Sequence, residues 1–333
     1  MKNKTKKYYI IRFVSFCLLL IMGLYIFSYI SLGNDAKSSP TRNQYFQNIN
    51  AEGENTIDVL FVGDSTVKNG IIPNKIWKDI GVTSYILGYG YATLDEEYYD
   101  VKKMLKKQKP KYLLLETSFL FDNNENNKNE CQQVSDYFDS KLFGEVNYYF
   151  PLMRYKSIFG YENNNLFNLM RIKPKSINDI QKGYVYYNTD DESQNEQKSN
   201  TKSKYYMIEN DNKYFKMYYD LCSDNNCELV TIFLPQKSKW SQECHNTIKT
   251  LTKKYDVKFI DYNIDTEKMI PTFSWKTDYR DSGTHLNYSG ATKLTKSIEK
   301  FMINELHIQQ TKLSQKDVDK WNKDTKDFYN SIK

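Results

Sequence analysis

The sequence predicts an α/β fold, a three-layer sandwich around a central parallel sheet, preceded by one N-terminal transmembrane helix. Two observations carry that expectation. Short, continuous apolar runs alternate with amphipathic stretches of helical period, the pattern of strands buried on both faces and the helices that cover them. Ahead of them stands a charge-free run from Phe13 to Leu32, FVSFCLLLIMGLYIFSYISL. As a helix, its roughly twenty residues span about 30 Å, the thickness of a bilayer's hydrocarbon core.

The run is long and ends without an Ala-x-Ala-like site, which favours an uncleaved anchor over a cleaved signal peptide. The preceding Lys2, Lys4, Lys6, Lys7 and Arg12 place the N-terminus in the cytoplasm and everything after Leu32 outside it. These five charges also account for most of the formal net charge of +6 across 333 residues. The remainder is close to neutral, a balance that implies no basic nucleic-acid-binding face. Hydrophobic content of 40% and charged content of 26% are those of a globular chain. The expected organisation is a cytoplasmic tail over 1–12, the anchor at 13–32 and a linker at 33–56. An α/β domain follows at 57–310, interrupted by an insertion at 122–204, with a C-terminal amphipathic helix at 311–333.

Gly33–Thr56 is polar, contains Pro40 and suits a tether. Ile57–Val62 reads as the first strand, ending in a sharp Gly63-Asp64-Ser65 turn. Pro73 opens a helix carrying Ile76, Trp77 and Ile80, and Gly81 ends it. Thr83–Leu87 is the second strand, stopped by Gly88-Tyr89-Gly90. A helix over about Leu94–Lys107 has acids in its first turn and lysines near its end, matching the helix dipole. Pro110 breaks it before the third strand, Tyr112–Leu115. Residues 122–204 hold long polar stretches around an aromatic-rich segment and read as an insertion suited to covering a site or binding something long. The alternation resumes with a helix at Tyr206–Leu221, a strand at Glu228–Phe233, a helix at Ser241–Lys254, a strand at Val257–Ile260 and a helix at Ala291–Leu306. Ser314 caps a last helix with Val318, Trp321, Thr325, Phe328 and Ile332 on one face.

Chemistry concentrates at the strand ends. A serine hydroxyl is a weak nucleophile at neutral pH and needs a base in hydrogen-bond reach, itself oriented by a third group. Ser65 follows the first strand, and His285 lies in the late loop Asp281-Ser282-Gly283-Thr284-His285-Leu286-Asn287. Asp281 is the natural orienter, since a carboxylate on one ring nitrogen fixes the tautomer and stabilises the imidazolium. Donors for a developing oxyanion are the backbone N–H of Ser65, that of Gly88, and a group after the third strand. His245 and His307 read as solvated surface residues. Cys131, Cys222, Cys227 and Cys244 allow two disulfides in three pairings, which the sequence leaves open. The Cys222–Cys227 spacing lacks the second ligand pair of a zinc site, and no metal or cofactor is expected.

These blocks resemble those of the SGNH (GDSL-type) hydrolases. Val62-Gly63-Asp64-Ser65 is similar to the family's Gly-Asp-Ser block, Leu87-Gly88-Tyr89-Gly90 to its glycine block, and Asp281…His285-Leu286-Asn287 to its final Asp–His block. The likeness spans about 57–121 and 205–306 and implies Ser65, His285 and Asp281 as catalytic residues and Gly88 as an oxyanion donor. Two departures stand out. The family's asparagine block is replaced by Leu115-Glu116-Thr117-Ser118, which leaves either Thr117 or Ser118 to donate or a hole of only two donors. The usual Asp-x-x-His becomes Asp-x-x-x-His, a slip that Gly283 is suited to absorb.

An N-terminal anchor ahead of an SGNH-like domain with an insertion also resembles, in architecture, the partners of membrane-bound O-acyltransferases that modify envelope polymers. The resemblance implies an extracytoplasmic serine esterase or O-acyltransferase acting on a cell-envelope glycan or glycopolymer, with an integral-membrane O-acyltransferase as a candidate partner. A non-catalytic adaptor or glycan-binding protein of the same fold is the alternative.

Overall fold

The computed structural model describes residues 2–38, 48–49, 51–88, 90, 94–121, 179–188, 209–237, 239–281 and 283–332. Most of the expected insertion, with Cys131 and its aromatic segment, lies outside them, as do Tyr89 and Ser282. The chain divides into two compact units, Met1–Gln47 with Asn129–Lys175, and Asn48–Lys128 with Ser176–Lys333.

In the first unit, α1 is one continuous helix, Lys2–Ser38. It is longer than the expected span, taking in the basic residues before it and six residues or so of the expected tether. Its Lys6–Ile26 stretch is long and apolar enough to cross a membrane or to act as a signal sequence.

The second unit is the α/β sandwich. Its strands are β1 (Val59–Gly63), β2 (Ser84–Gly88), β3 (Tyr112–Glu116), β4 (Glu228–Phe233) and β5 (Lys258–Asp261). All pairings are parallel, in the order β2-β1-β3-β4-β5. Between strands run α2 (Ser65–Gly70), α3 (Pro73–Ile80), α4 (Leu94–Met104), α5 (Glu209–Asp224) and α6 (Gln242–Lys254). After β5 come α7 (Thr266–Met269), α8 (Tyr288–Asn304) and α9 (Gln315–Ser331).

Both faces of the sheet are covered, so its strands read as unbroken apolar runs. Val59, Phe61, Ile86, Leu114, Val230 and Ile232 share one core with Val67 of α2, Ile76 of α3, Leu294 and Ile298 of α8 and Phe328 of α9. The alternate positions Leu60, Val62, Leu113 and Leu115 are equally buried. They belong to the side where α4 and α5 pack together, with Tyr98 ringed by Tyr214 and Tyr218. Local signals set the helix limits. Pro73 opens α3, and Gly81, at φ +65°, closes it by donating its N–H to the Trp77 carbonyl at 2.9 Å.

Two boundaries differ from the sequence reading. The compact unit begins at Asn48, ahead of the expected Ile57, because Ile49 and Glu52 are buried in it. The C-terminal helix is not a separate appendage: α9 lies on α3, with Trp321 and Trp77 rings 5.6 Å apart. One buried cation joins these pieces. Lys182, fully shielded from solvent, places Nζ 2.6 Å from both Glu52 Oε1 and Asp324 Oδ2, over the Trp321 ring. Lys320 reaches the same two acids at 2.8 and 2.7 Å from the half-exposed side. The next residue, Gly183, has φ +88° and passes so close to the Ile86 backbone that a Cβ would collide with it. Sequence reading had no route to this cluster, because Glu52 and Asp324 lie 130 and 142 residues from Lys182.

Removing one member of a buried ion network strands the others without compensation. Lys182→Ala therefore lowers unfolding free energy by about 3 kcal/mol, the lower end of the range for broken buried pairs because Lys320 remains. Chemical denaturation of the detergent-solubilised chain measures it.

Candidate active site

Open α/β sheets bind ligands outside the carboxyl ends of the strands where the strand order reverses. In the order 2-1-3-4-5 that point lies between β1 and β3, at the ends of Gly63 and Glu116. The three sequence blocks converge there.

Ser65 is the first residue of α2, a helix the sequence reading had as a bare turn. Asp64 caps it, its Oδ1 accepting from Thr66 N at 2.8 Å and Thr66 Oγ1 at 2.7 Å. Asn69 Nδ2 donates to the Ser65 carbonyl and braces the turn. Ser65 Oγ lies 2.7 Å from His285 Nε2, and His285 Nδ1 lies 2.6 Å from Asp281 Oδ2. Asp281 Oδ1 also accepts from the N–H groups of Thr284 and His285, at 3.1 and 2.8 Å. The extra residue between Asp281 and His285 is taken up at Gly283, whose φ of +85° is open to glycine.

The histidine loop is fixed from several sides. Tyr279 and Leu286 form an antiparallel bridge, and Arg280 N donates to the His285 carbonyl at 3.0 Å. Tyr279 Oη donates to the Pro235 carbonyl at 2.8 Å, and buried Asp278 holds Lys293, Ser289 and the Ser274 N–H. Burial pushes the Asp281 carboxyl up, but its hydrogen bonds from His285 outweigh that and hold it below the usual carboxylate range.

Gly88 ends β2 in register with Gly63. A Cβ there would stand 2.8 Å from the Gly63 carbonyl oxygen and 3.0 Å from that of Asp64, so only glycine lets β2 end against the serine turn. Thr117 does not fill the role expected of it. Its N–H and hydroxyl both point to the Ile232 carbonyl, at 2.9 and 3.2 Å, tying β3 to β4 and leaving no donor for an oxyanion. Ser118 is also engaged, donating from N and Oγ to Glu116 Oε2 at 3.0 and 2.7 Å. Among the described residues, the candidate donors left at the strand ends are the backbone groups around Ser65 and Gly88.

Several charged residues at this edge went unread in the sequence. Asp64 Oδ2 pairs with Lys239 at 3.2 Å. Burial raises the Asp64 carboxyl, and Lys239 with Thr66 more than reverses it, leaving Asp64 below its ordinary range. Glu116 is fully buried. Arg280 stacks on Tyr187, 3.7 Å from its ring centroid, and burial together with Arg280 draws Lys68 below the usual lysine range. His245 is not a solvated surface residue: its Nδ1 is 2.8 Å from Asp261 Oδ2, which also accepts from Trp240. The signal for Glu116 was present, a charged residue ending an otherwise apolar Tyr112–Leu115 run. Among the described residues no group of acids, histidines and cysteines is arranged to hold a metal ion.

No family model matches the chain, and no curated protein does. Solved structures similar to it include a Clostridium thermocellum family 3 carbohydrate esterase (12% identity, 75% of this chain and 97% of that one, TM-score 0.37). A GDSL-like lipase from Bacteroides thetaiotaomicron matches at 11% identity, 83% and 97% coverage and a TM-score of 0.32. The esterase EstA from Pseudoalteromonas sp. matches at 7% identity, 75% and 100% coverage and a TM-score of 0.36. The structural neighbours are GDSL-like lipases and esterases. At these TM-scores the likeness has no weight in assigning an activity, and the reading below rests on the geometry.

Gly88→Ala tests the close approach. The added methyl group forces β2 away from the serine turn, costing about 1–3 kcal/mol of stability as overpacking does. Denaturation midpoints measure the loss.

Proposed function

We propose that this chain is a serine esterase or O-acyltransferase in which Ser65 is the nucleophile, His285 the general base and Asp281 its orienting anion. The observation that carries the reading is the continuous hydrogen-bonded line from Ser65 Oγ through His285 to Asp281, at 2.7 and 2.6 Å. In the first half-reaction, His285 Nε2 takes the Ser65 proton while Oγ attacks the acyl carbonyl. The carbonyl oxygen becomes an oxyanion facing the N–H groups of Ser65 and Gly88. Collapse breaks the ester bond, and His285 gives its proton to the departing alcohol. Water or a polymer hydroxyl then attacks the acyl-serine by the same steps in reverse. Released by water, the acyl group is lost as an acid; released by a hydroxyl, it is transferred.

The substrate is read from placement. The N-terminal helix supports a membrane-anchored protein with its α/β domain outside the cytoplasm, and a tethered acyl-transfer site suits an envelope glycan or glycopolymer. On this reading an integral-membrane O-acyltransferase is the natural source of the acyl group. The second reading, a non-catalytic adaptor or glycan-binding protein, is favoured by one observation: the donors of Thr117 and Ser118 are already taken up.

A fluorophosphonate probe separates the two. The intact chain in detergent is labelled on Ser65, and Ser65→Ala abolishes labelling; an unlabelled wild type sinks the enzymatic reading. Asp281→Asn lowers the labelling rate by about 10⁴-fold while the fold persists, as replacing the orienting anion of a triad does.

A further inference from the structure

The carboxyl of Glu116 lies at the reversal point of the strand order, beside the serine turn, and takes no part in the steps above. β1 and β3 pair in register through Val62 and Leu115, so Gly63 and Glu116 come side by side at their ends. A Cβ on Gly63 would stand 2.8 Å from the Glu116 Cβ, so the Gly-Asp-Ser backbone rests directly on this side chain. Glu116 is buried completely and placed by three donors: Ser118 N and Oγ on Oε2, and Leu234 N on Oε1 at 3.4 Å. Gln236 Nε2 extends the network to Ser118 Oγ at 3.1 Å. Among the described residues, the charged groups facing it are Asp64, which caps the helix carrying Ser65, and Lys239, which pairs with Asp64 at 3.2 Å.

We propose that Glu116 is a positioning residue for Ser65: as a neutral carboxyl it supports the serine turn, and as a carboxylate it turns the site off. This rests on the acyl-transfer reading of Ser65. One cation faces two buried acids, and Asp64 holds it more closely. An ionised Glu116 would repel Asp64, loosening the cap of α2, and would set a second negative charge beneath the place where the acyl oxygen gathers its own. Burial and Asp64, against weaker opposition from Ser118 and Lys239, push Glu116 up to about 8, so the neutral form holds at neutral pH.

The experiment uses full-length chain in detergent, reacted with a fluorophosphonate from pH 5.5 to 10. Wild-type labelling falls above about pH 8, by about tenfold per pH unit once the ionised form dominates. Glu116→Gln, neutral at every pH, lacks this alkaline limb. Glu116→Ala, which loses both the support and the Ser118 anchor, labels at least about tenfold more slowly at every pH, a loss of preorganisation. A second readout does not need Ser65 to react. A carboxyl whose folded pKa is raised gives stability that is full below the unfolded value and lost as pH rises to the folded value. Wild type must therefore lose stability relative to Glu116→Gln between about 4.5 and about 8, and no further above that. Wild type labelled, with a Glu116→Gln profile falling alongside it, overturns the role given to Glu116 alone. Parallel stability curves overturn it too. Wild type unlabelled at every pH, with stability curves that diverge, overturns the acyl-transfer reading and the role of Glu116 in it.

Discussion

The site depends on how closely backbones approach where β2, β1 and β3 end. Gly63 has no room for a side chain, since Val67 and Glu116 occupy the space a Cβ would need. Gly88 is equally confined by the Gly63 and Asp64 carbonyls. With neither strand end carrying a side chain, the chain leaves β1 and turns at once into α2. Ser65 then stands at the first helical position, where its N–H has no partner inside the helix. The hydroxyl and the candidate donors are thus placed by the sheet, with α2 too short to hold itself together. Its stability comes from the Asp64 cap, the Asn69 brace and the burial of Val67 in the core below.

The base arrives from a different layer. His285 lies just ahead of α8, a helix that packs on α2 and α3 and opens with Asn287, whose side chain accepts from Gly290 N at 3.0 Å. Gly290 in turn sits so tightly on the Asp278 carbonyl that a Cβ would overlap it. Helix α8, the Asp278 cluster and the Tyr279–Leu286 bridge therefore form one support, and Ser65 Oγ meets His285 Nε2 because both supports pack on the same core. A hydrogen-bonded serine–histidine pair built from two packed supports, 220 residues apart in sequence, needs no loop closure to form.

What the sequence disclosed and what it hid follow from range. Strands buried on both faces are written as continuous apolar runs, so β1 to β5 were legible almost to the residue, as was the Pro73–Gly81 helix with its local start and stop signals. Ser65 could be singled out because its block stands at a strand end, His285 because the chain has only three histidines, and Asp281 because it lies four residues before that histidine. Helix α2 was hidden, because Ser-Thr-Val-Lys-Asn-Gly has weak helical propensity and is held by tertiary contacts. Thr117 was misplaced for a similar reason: the sequence puts a hydroxyl after β3, and only the neighbouring strand reveals that Ile232 takes both its donors. The Glu52–Lys182–Asp324 network, the early start of the domain and the docking of α9 all rest on contacts between distant segments.

The same distinction bears on electrostatics. Overall charge predicts nothing about this site, where the decisive charges are buried in ones and twos. Asp281 and Asp64 are both held as anions, each by a cation or polarisable partner within about hydrogen-bond reach. Glu116, on the adjoining strand, has no cation of its own among the described residues, and burial with Asp64 raises its carboxyl to about 8. Three carboxyls at one sheet edge are therefore divided by environment into an orienting anion, a capping anion and a neutral support. On the proposed acyl-transfer reading, an oxyanion beside Ser65 is compatible with the first because His285 stands between, and with the second because Lys239 answers it. Glu116 has hydrogen-bond donors but, among the described residues, no counter-charge of its own, so a neutral carboxyl is the form that fits beside the oxyanion of the proposed reaction.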